Sequence, residues 1–346
     1  MFCSRESFDD LLREVFNRLL KDGEVVAGAS RGETIELRGV LLEITNPLAR
    51  LSRSEKRGKI FSAIGELLWY LSGSGQLAPI VYYIPQYVKE SLDRETVPGA
   101  YGPRIFGEGA NAQVNNAIAL LKRRPASRRA VIQIFAATDL EATLQATQKE
   151  VKSPEVPCTC SLQFFVREGK VDLLVHMRSS DAYIGLAHDV FAFTMIQEIV
   201  ARRLGYELGV YKHSIGSLHI YKELVADAQQ YLDEGWQKPA TMPVMPQADV
   251  ELSISSLLDV EKRIRTGQDF KEQIDTLEGY WKDFAVLLVI FKNAKKKEIR
   301  DDVTSIDAAL EFLQQQRKGL STDAYDASLD DLADWLFQRK RRLNKK

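Results

Sequence analysis

The segment from residue 161 to residue 204 constrains the fold more than any other part of the chain. Two β-rich runs, 161–166 and 171–177, flank Arg167-Glu168-Gly169-Lys170, a sequence typical of a tight hairpin turn. A long apolar run over 187–204 follows and ends at Gly205, which predicts a buried helix. A hairpin that leads into a buried helix predicts a sheet with helices packed against it.

Strands and helices are interspersed through the first 245 residues. Helices are predicted over 5–21, 55–72 and 112–123, and strands over 35–44 and 129–135. The stretch 95–112 is rich in glycine and broken by proline, so a loop is predicted there. This mixture, without an internal repeat, predicts an α+β fold.

The chain changes character near residue 245. Pro239, Pro243 and Pro246 lie close together, and beyond them the sequence is helical and highly charged. We therefore divide the chain into a domain over 1–245 and a helical C-terminal extension over 246–346. The extension ends in RKRRLNKK, which could bind nucleic acid, but a preceding acidic stretch favours a solvated helix end.

Composition excludes several classes of protein. Hydrophobic residues make up 45% of the chain and charged residues 27%, which is typical of a folded globular protein. The formal net charge is −1, so no general attraction to nucleic acid or to a membrane surface is expected. Three cysteines suit a reducing compartment, the N-terminus is charged, and the longest apolar run is too short to cross a bilayer. We expect a cytoplasmic protein.

The motif Pro157-Cys158-Thr159-Cys160 is a candidate for chemistry. A CxC pair could bind a metal ion, but no second pair and no histidine at ligand spacing accompanies it, so no metal site is predicted. Taken alone, Cys158 is most simply interpreted as a buried structural cysteine. The motifs elsewhere in the chain favour a reactive one.

These motifs resemble those of the thymidylate synthase family over about residues 25–225. In the family's order they are Glu66-Leu67-Leu68-Trp69, Tyr101-Gly102, Ser127-Arg128-Arg129, Pro157-Cys158 with Gln163-Phe164, Arg178-Ser179-Ser180-Asp181, Gly185-Leu186, and His219 with Tyr221. Each motif alone is weak, but their common order identifies the chain as a member of the family. The resemblance implies the family's mixed sheet packed against helices and one-carbon transfer to C5 of a pyrimidine nucleoside monophosphate.

The resemblance also implies roles for individual residues. In the family a cysteine thiolate adds to C6 of the pyrimidine, which makes C5 a nucleophile toward an activated one-carbon unit. The implied catalytic residues are Cys158, Glu66, Tyr101 and Asp189, with Glu66 and Tyr101 moving protons. The implied nucleotide-binding residues are Arg31, Arg128, Arg129, Arg178, Ser179, Asp189, His219 and Tyr221. Asp181 and Gly185 would contact 5,10-methylenetetrahydrofolate, the implied co-substrate.

The family forms homodimers in which the arginine pair binds the phosphate in the partner's site. The resemblance therefore implies that Arg128 and Arg129 act across a dimer interface. Two simpler interpretations stay open. Arg128 and Arg129 could be a solvated loop pair, and His219 and Tyr221 could be ordinary strand residues.

Asp189 departs from the synthase pattern. Synthases have asparagine there, whose amide accepts a hydrogen bond from uracil N3–H and donates one to O4. An ionised carboxylate can only accept, so it would oppose O4 of uracil but could accept from the N4 amino group of cytosine. Deoxycytidylate hydroxymethylases of the family carry this aspartate, so the resemblance also predicts a cytidylate substrate. The alternative is that Asp189 is a surface helix cap.

Other departures concern the folate side of the site. Thr159 replaces the synthase histidine, His188 replaces an aromatic residue, and the aromatic pair that packs on folate is not recognisable. The synthase chain ends in a short tail that closes over folate, whereas this chain continues for about a hundred residues. A wetter site would let water add to the exocyclic methylene intermediate and form a 5-hydroxymethyl product.

Three hypotheses follow. The first is a cytidylate or deoxycytidylate 5-hydroxymethylase that uses methylenetetrahydrofolate and water. The second is a thymidylate synthase or a uridylate hydroxymethylase. The third is a nucleotide-binding or regulatory protein whose active site has decayed.

The C-terminal extension has a strong helical pattern but no family guide. Apolar residues recur at three-and-four spacing at Leu277, Tyr280, Trp281, Phe284, Leu287, Leu288 and Phe291. Further helices are predicted over 305–317 and 328–342. A helix this apolar must bury its face, and we expect it to pack on the catalytic domain.

Overall fold

The computed structural model describes residues 1–29, 32–52, 60–149, 151–152, 154–236, 238–294 and 302–343. The strands in these ranges are β1 (Phe2–Arg5), β2 (Glu24–Ala29), β3 (Gly32–Ile44), β4 (Val131–Gln133), β5 (Thr159–Arg167), β6 (Lys170–Asp181) and β7 (Glu207–Tyr221). The helices of the first 245 residues are α1 (Phe8–Asp22), α2 (Ile60–Leu71), α3 (Leu77–Tyr83), α4 (Tyr101–Phe106), α5 (Gln113–Arg123), α6 (Ala137–Gln148), α7 (Leu186–Leu204) and α8 (Val225–Asp233). The extension contains α9 (Val250–Thr266), α10 (Lys271–Asp275), α11 (Gly279–Ala294), α12 (Val303–Arg317) and α13 (Asp326–Leu343).

The strands form one mixed sheet in the order β1-β3-β7-β6-β5-β4, with β2 paired to β3 outside this path. The pairs β1–β3 and β6–β7 are parallel, and the others are antiparallel. Parallel neighbours need a crossover connection, and α7 provides it between β6 and β7. The mixed sheet with its packed helices confirms the predicted α+β fold.

Local sequence signals explain how these elements begin and end. At the predicted hairpin, Glu168 and Gly169 have φ values of 50° and 74°, the left-handed geometry of a two-residue turn. Helix α1 is capped by Ser7, whose side chain accepts a hydrogen bond from the Asp10 amide at 3.1 Å. Helix α7 ends at Gly205, whose φ of 75° suits glycine. The turn at Glu168 and Gly169 and the end of α7 at Gly205 confirm the hairpin and the buried helix predicted for the segment 161–204.

One predicted loop is wrong in part. The glycine-rich stretch 95–112 contains helix α4, from Tyr101 to Phe106. Gly102 allows this helix to pack closely, because an added Cβ would lie 2.9 Å from the Ser74 carbonyl oxygen. Glycine content therefore marked a close approach of backbones here as well as a loop.

The C-terminal extension shares its hydrophobic core with the sheet domain. Phe291 of α11 stacks on Phe61 of α2, with ring centroids 5.8 Å apart, and on Tyr83 of α3 at 5.3 Å. The Tyr83 hydroxyl donates to Glu261 of α9 at 2.9 Å. Trp281, Phe284 and Leu287 of α11 are buried. The extension therefore packs directly against helix α2. No helix among the described residues is both long enough and apolar enough to cross a membrane.

Candidate active site

Cys158 lies immediately before β5, where the neighbouring strand β6 holds it in place. Its carbonyl oxygen accepts a hydrogen bond from the Arg178 amide at 2.8 Å. The Arg178 guanidinium donates to the carbonyl oxygens of Pro157 at 3.0 Å and Val156 at 2.9 Å. Arg178 thus ties down the segment that leads to the cysteine, which brings together two residues predicted from separate motifs.

Tyr101 lies against the same segment from the start of α4. Its hydroxyl oxygen accepts hydrogen bonds from the Thr159 amide and from the Thr159 hydroxyl, both at 3.1 Å. Burial raises the pKa of Tyr101 well above its ordinary value, and the negative charges of Cys158 and Asp189 raise it further. The phenol of Tyr101 is therefore held in its neutral form beside Cys158. Thr159, which replaces the synthase histidine, is buried and positions this phenol.

Glu66 projects from the buried face of α2. Its Oε1 accepts hydrogen bonds from the hydroxyls of Tyr70 at 3.0 Å and Tyr87 at 2.5 Å. Burial raises the pKa of Glu66, while the two tyrosine hydrogen bonds oppose that shift. A carboxyl group with a raised pKa can exchange a proton near neutral pH, which suits the predicted role in proton transfer.

The tyrosine partners of Glu66 were missed at the level of sequence. Tyr70 follows Glu66 by four residues on a predicted helix, a spacing that places two side chains on one face. That signal was available. Tyr87 lies in a separate 3-10 helix, Pro85–Glu90, and its contact with Glu66 depends on tertiary packing.

Asp189 lies in the first turn of α7, inside the helix. Gly185 occupies the N-cap position, and the Asp189 amide donates to the Gly185 carbonyl at 3.1 Å. The alternative of Asp189 as a helix cap is therefore wrong. Burial raises its pKa well above the ordinary value, and the negative charges of Glu66 and Asp181 add to the rise. The raised pKa favours the protonated form of Asp189, which has one donor and one acceptor oxygen.

The protonation state of Asp189 determines which base it can complement. An ionised Asp189 would exclude uracil, because it could not donate to O4. A neutral Asp189 can donate to N3 of cytosine and accept from its amino group, or donate to O4 of uracil and accept from N3–H. The carboxyl group therefore complements either base, depending on which oxygen carries the proton.

Asp181 and Gly185 form the turn between β6 and α7. Asp181 Oδ1 accepts hydrogen bonds from the amides of Tyr183 at 2.8 Å and Ile184 at 2.9 Å. A Cβ at Gly185 would lie 3.5 Å from the Asp181 carbonyl oxygen and 3.7 Å from Asp189 Oδ2. The turn therefore places the two candidate folate contacts directly beside Asp189, and one Asp181 oxygen is committed to the turn itself.

The remaining nucleotide candidates lie on the parallel strands β6 and β7. Asp181 pairs with His219, and Ser179 pairs with Ser217. The rings of His219 and Tyr221 meet edge to face at 5.3 Å, because alternate residues of a strand share a face. Ser179, His219 and Tyr221 therefore form a continuous row next to the turn at Asp181.

Arg128 and Arg129 lie apart from this group. Both are exposed, and they precede β4, the edge strand of the sheet. Val131 pairs with Gln163, which lies five residues, or about 16 Å, along the chain from Cys158. Because β4 runs antiparallel to β5, Arg128 and Arg129 lie still farther from Cys158. Their side chains make no ion pair within the described residues. Arg31, the last candidate, lies outside the described residues.

A buried histidine near the site was also missed. His213 of β7 is fully buried, and its Nδ1 is 2.9 Å from the hydroxyl of Tyr211. The negative charge of Asp189 raises the pKa of Tyr211, although burial is the larger cause. Burial, with a smaller effect from His176, lowers the pKa of His213 to about 3. His213 is therefore neutral in the folded protein.

This depressed pKa predicts loss of stability in acid. Below the ordinary histidine pKa of 6.5 the unfolded chain binds a proton at His213 that the folded chain does not bind. From pH 7 to pH 5 this should lower the free energy of unfolding by about 2 kcal/mol. Urea titrations at both pH values should show a smaller loss in His213→Asn than in the wild type. The exposed His176→Asn should retain most of the wild-type loss, and an equal loss in all three proteins would contradict the prediction.

No group of three or more histidine, cysteine or acidic side chains among the described residues could hold a metal ion. That no metal takes part in the reaction stays a prediction from the sequence.

A family model described as thymidylate synthase matches residues 17–263 of the chain. This chain belongs to the thymidylate synthase family. The match confirms the predicted family and reaches residue 263 in α9, beyond the boundary placed at 245 from the prolines.

One similar relative is a deoxyuridylate hydroxymethyltransferase of Delftia phage PhiW-14. It is 33% identical to this chain over 196 residues, which cover 55% of this chain and 54% of the relative. The match thus spans about half the length of the curated relative.

Proposed function

We propose that the protein is a one-carbon transferase that forms 5-hydroxymethyl pyrimidine nucleotides, with cytidylate or deoxycytidylate as the preferred substrate. The observation that carries the proposal is an aspartate with a raised pKa at position 189, where synthases have asparagine, in a site with Glu66, Tyr101 and Cys158. Its hydroxyl would donate to N3 of cytosine, and its carbonyl oxygen would accept from the N4 amino group.

The site residues supply the steps of this reaction. The Cys158 thiolate adds to C6, and the proton that Asp189 passes toward N3 accepts the electron density that reaches the ring. C5 then bonds to the methylene carbon of methylenetetrahydrofolate, and loss of the C5 proton expels tetrahydrofolate and leaves an exocyclic methylene group. Water adds to that methylene carbon as Cys158 leaves C6. Tyr101 and Glu66 are placed to move the C5 proton and to orient the water.

A second candidate is a uridylate hydroxymethylase. The name of the phage relative favours it, and a neutral Asp189 can also complement uracil. Incubation with methylenetetrahydrofolate and each of the four pyrimidine monophosphates, UMP, dUMP, CMP and dCMP, should separate the candidates. Mass spectrometry should show the 5-hydroxymethyl product chiefly from a cytidylate. A methylated product with dihydrofolate absorbance would indicate a synthase. Nucleotide binding without release of tritium from C5 would indicate a decayed site.

Substitution of Asp189 tests base selection directly. Asp189→Asn replaces a carboxyl group that can donate to N3 by an amide whose geometry suits uracil. We expect cytidylate turnover to fall and uridylate turnover to rise, a combined change in discrimination of ~2–4 kcal/mol in a desolvated site. The measurement is the ratio of kcat/KM for the two nucleotides. Glu168→Gln, in the exposed turn between β5 and β6, is a control that should leave this ratio unchanged. An unchanged ratio in Asp189→Asn would remove that residue from base recognition.

The exposed arginines support a homodimer with shared active sites. Arg128 and Arg129 lie far along the sheet from Cys158 of their own chain, so a phosphate held by both would belong to another subunit. The nearby edge strand also carries Val131, which is 45% exposed, and an apolar residue this exposed suits an interface. We propose that the arginines bind the nucleotide phosphate in the partner's site, where guanidinium groups match its oxygens.

Mixing two inactive variants tests this arrangement. A chain with Arg129→Ala and a chain with Cys158→Ser should regain activity together, because each heterodimer contains one intact site and one site with both defects. Up to about half of the activity per heterodimer should return, since each dimer has two sites. Heterodimer formation is checked with differently tagged chains. Heterodimers that form without activity would place the arginines in their own subunit's site.

The three cysteines, Cys3, Cys158 and Cys160, form no disulfide, which supports the proposal of a cytoplasmic location. The division into a catalytic domain and a helical extension is likewise a proposal, with the extension packed on helix α2.

A further inference from the structure

A cavity lies where the C-terminal extension meets the catalytic helices. Its volume is about 30 Å³. The described residues that line it are Phe8, Arg50, Leu51, Ser52, Ile60, Ala63, Ala187, His188, Phe191 and Ser328. Ser328 belongs to α13, outside the range of the family match, whereas Ala187 and His188 directly precede Asp189 on α7. The cavity therefore adjoins both the extension and the helix turn that carries the base-reading residue.

Arg50 is the unusual member of this lining. It is only 1% exposed, and its Nη2 donates to Glu198 Oε2 at 2.6 Å. Its Nε and Nη1 are buried and have no hydrogen-bond partner among the described residues. Glu198 offers no further help, because its Oε1 accepts from the Met245 amide at 2.8 Å. A buried guanidinium with unused N–H groups is costly, since those donors have lost water without gaining a partner.

The rest of the lining favours an anion. Among its described residues Arg50 carries the one fixed charge, while the carboxylates of Glu198 and Asp9 contact Arg50 and Ser52 but do not line the cavity themselves. Ser52 already donates to Asp9 at 2.9 Å, which leaves Ser328 as the other hydroxyl on the lining. A water molecule needs roughly 10–15 Å³ of such space, so the cavity has room for one small ion but not for a nucleotide.

We propose that this cavity is a binding site for one small monovalent anion, such as chloride, held by one of the unused Arg50 N–H groups and by the Ser328 hydroxyl. The anion supplies an acceptor that Arg50 lacks and connects α13 to Arg50, which is itself paired with Glu198 of α7. Its binding stabilises the docked extension. The test of this site measures unfolding and not turnover, so it does not depend on the proposed function.

Thermal unfolding of the full chain tests the proposal. At constant ionic strength, sodium gluconate is replaced stepwise by sodium chloride or sodium bromide, because gluconate is too large for the cavity. The Tm should rise along a saturable curve, by about 2–4 °C at tenfold excess over the Kd. Constant ionic strength removes general screening from the comparison. A Tm that does not depend on the anion would overturn the proposal.

Variants that fill the cavity provide a test that keeps Arg50 and its ion pair intact. Ala63→Val and Ser328→Val should lose the saturable rise in Tm, whatever their own stability. Ser305→Ala, which removes a hydroxyl of α12 away from the cavity, should keep the rise. Retention of the rise in both filled variants would contradict the assignment. In crystals grown with bromide, an anomalous peak beside Arg50 is expected, and ordered water alone at that place would also contradict it.

Discussion

Cys158→Ser should abolish turnover and the exchange of tritium from C5 of the nucleotide, whereas Cys160→Ser should leave both largely intact. Serine cannot supply a thiolate, so the first covalent step is lost. The two positions differ in their surroundings. Cys158 lies at the start of β5 next to Tyr101 and Arg178, while burial raises the pKa of the Cys160 thiol and makes it less reactive.

The Cys160 variant is a matched control for this experiment. Cys160→Ser makes the same cysteine-to-serine change two residues away, in strand β5. A general effect of this change on folding would therefore appear in both variants. Nucleotide binding measured by calorimetry should persist in Cys158→Ser, because phosphate and sugar contacts come from other residues. Loss of turnover in Cys160→Ser with retention in Cys158→Ser would show that the assignment of the nucleophile is wrong.

Truncation after Gln247 should leave an aggregating or unfolded protein. The truncation removes α9 to α13, and with them the buried side chains of Trp281, Phe284, Leu287 and Leu288. Each such side chain is worth roughly 1.5–3 kcal/mol of burial, so their sum is comparable with the whole stability of an ordinary domain. Helix α2, which carries Glu66, would also lose the ring of Phe291 that stacks on Phe61.

Point substitutions on α11 separate packing from mere chain length. Phe284→Ala should lower the free energy of unfolding by about 3–5 kcal/mol, because a large buried ring leaves a cavity. Lys282→Ala on the exposed side of the same helix should change it little. Urea unfolding and size-exclusion chromatography report both results. A truncated chain that remains soluble, dimeric and active would make the extension an independent module.

Sequence alone determined the features that depend on neighbouring residues. The Glu168-Gly169 turn fixed the hairpin because both positions tolerate or require positive φ. Gly205 marked the end of a helix through capping geometry, which involves residues only a few positions away, whereas the cap at Ser7 was not predicted. The motifs of the thymidylate synthase family were recognisable because their order along the chain is a linear property. The family, the α+β fold and the candidate nucleophile all followed from such signals.

Sequence missed the elements whose signals are weak or ambiguous locally. Helix α4 was predicted as loop, because glycine and proline near Tyr101 mark a close backbone contact as readily as they mark a turn. Strand β7 lies at the centre of the sheet and has 15 residues. From the sequence, only His219 and Tyr221 were considered as strand residues in this region.

Tertiary structure decided the protonation and the partners of the site residues. From the sequence, Asp189 was treated as an ionised carboxylate that excludes uracil. The rise in its pKa depends on burial and on the approach of Glu66 from α2 and Asp181 from β6. The same holds for the Tyr87 hydroxyl on Glu66 and for the unused donors of Arg50. A pKa reflects desolvation and the distances to other charges in space, and residue spacing along the chain determines neither.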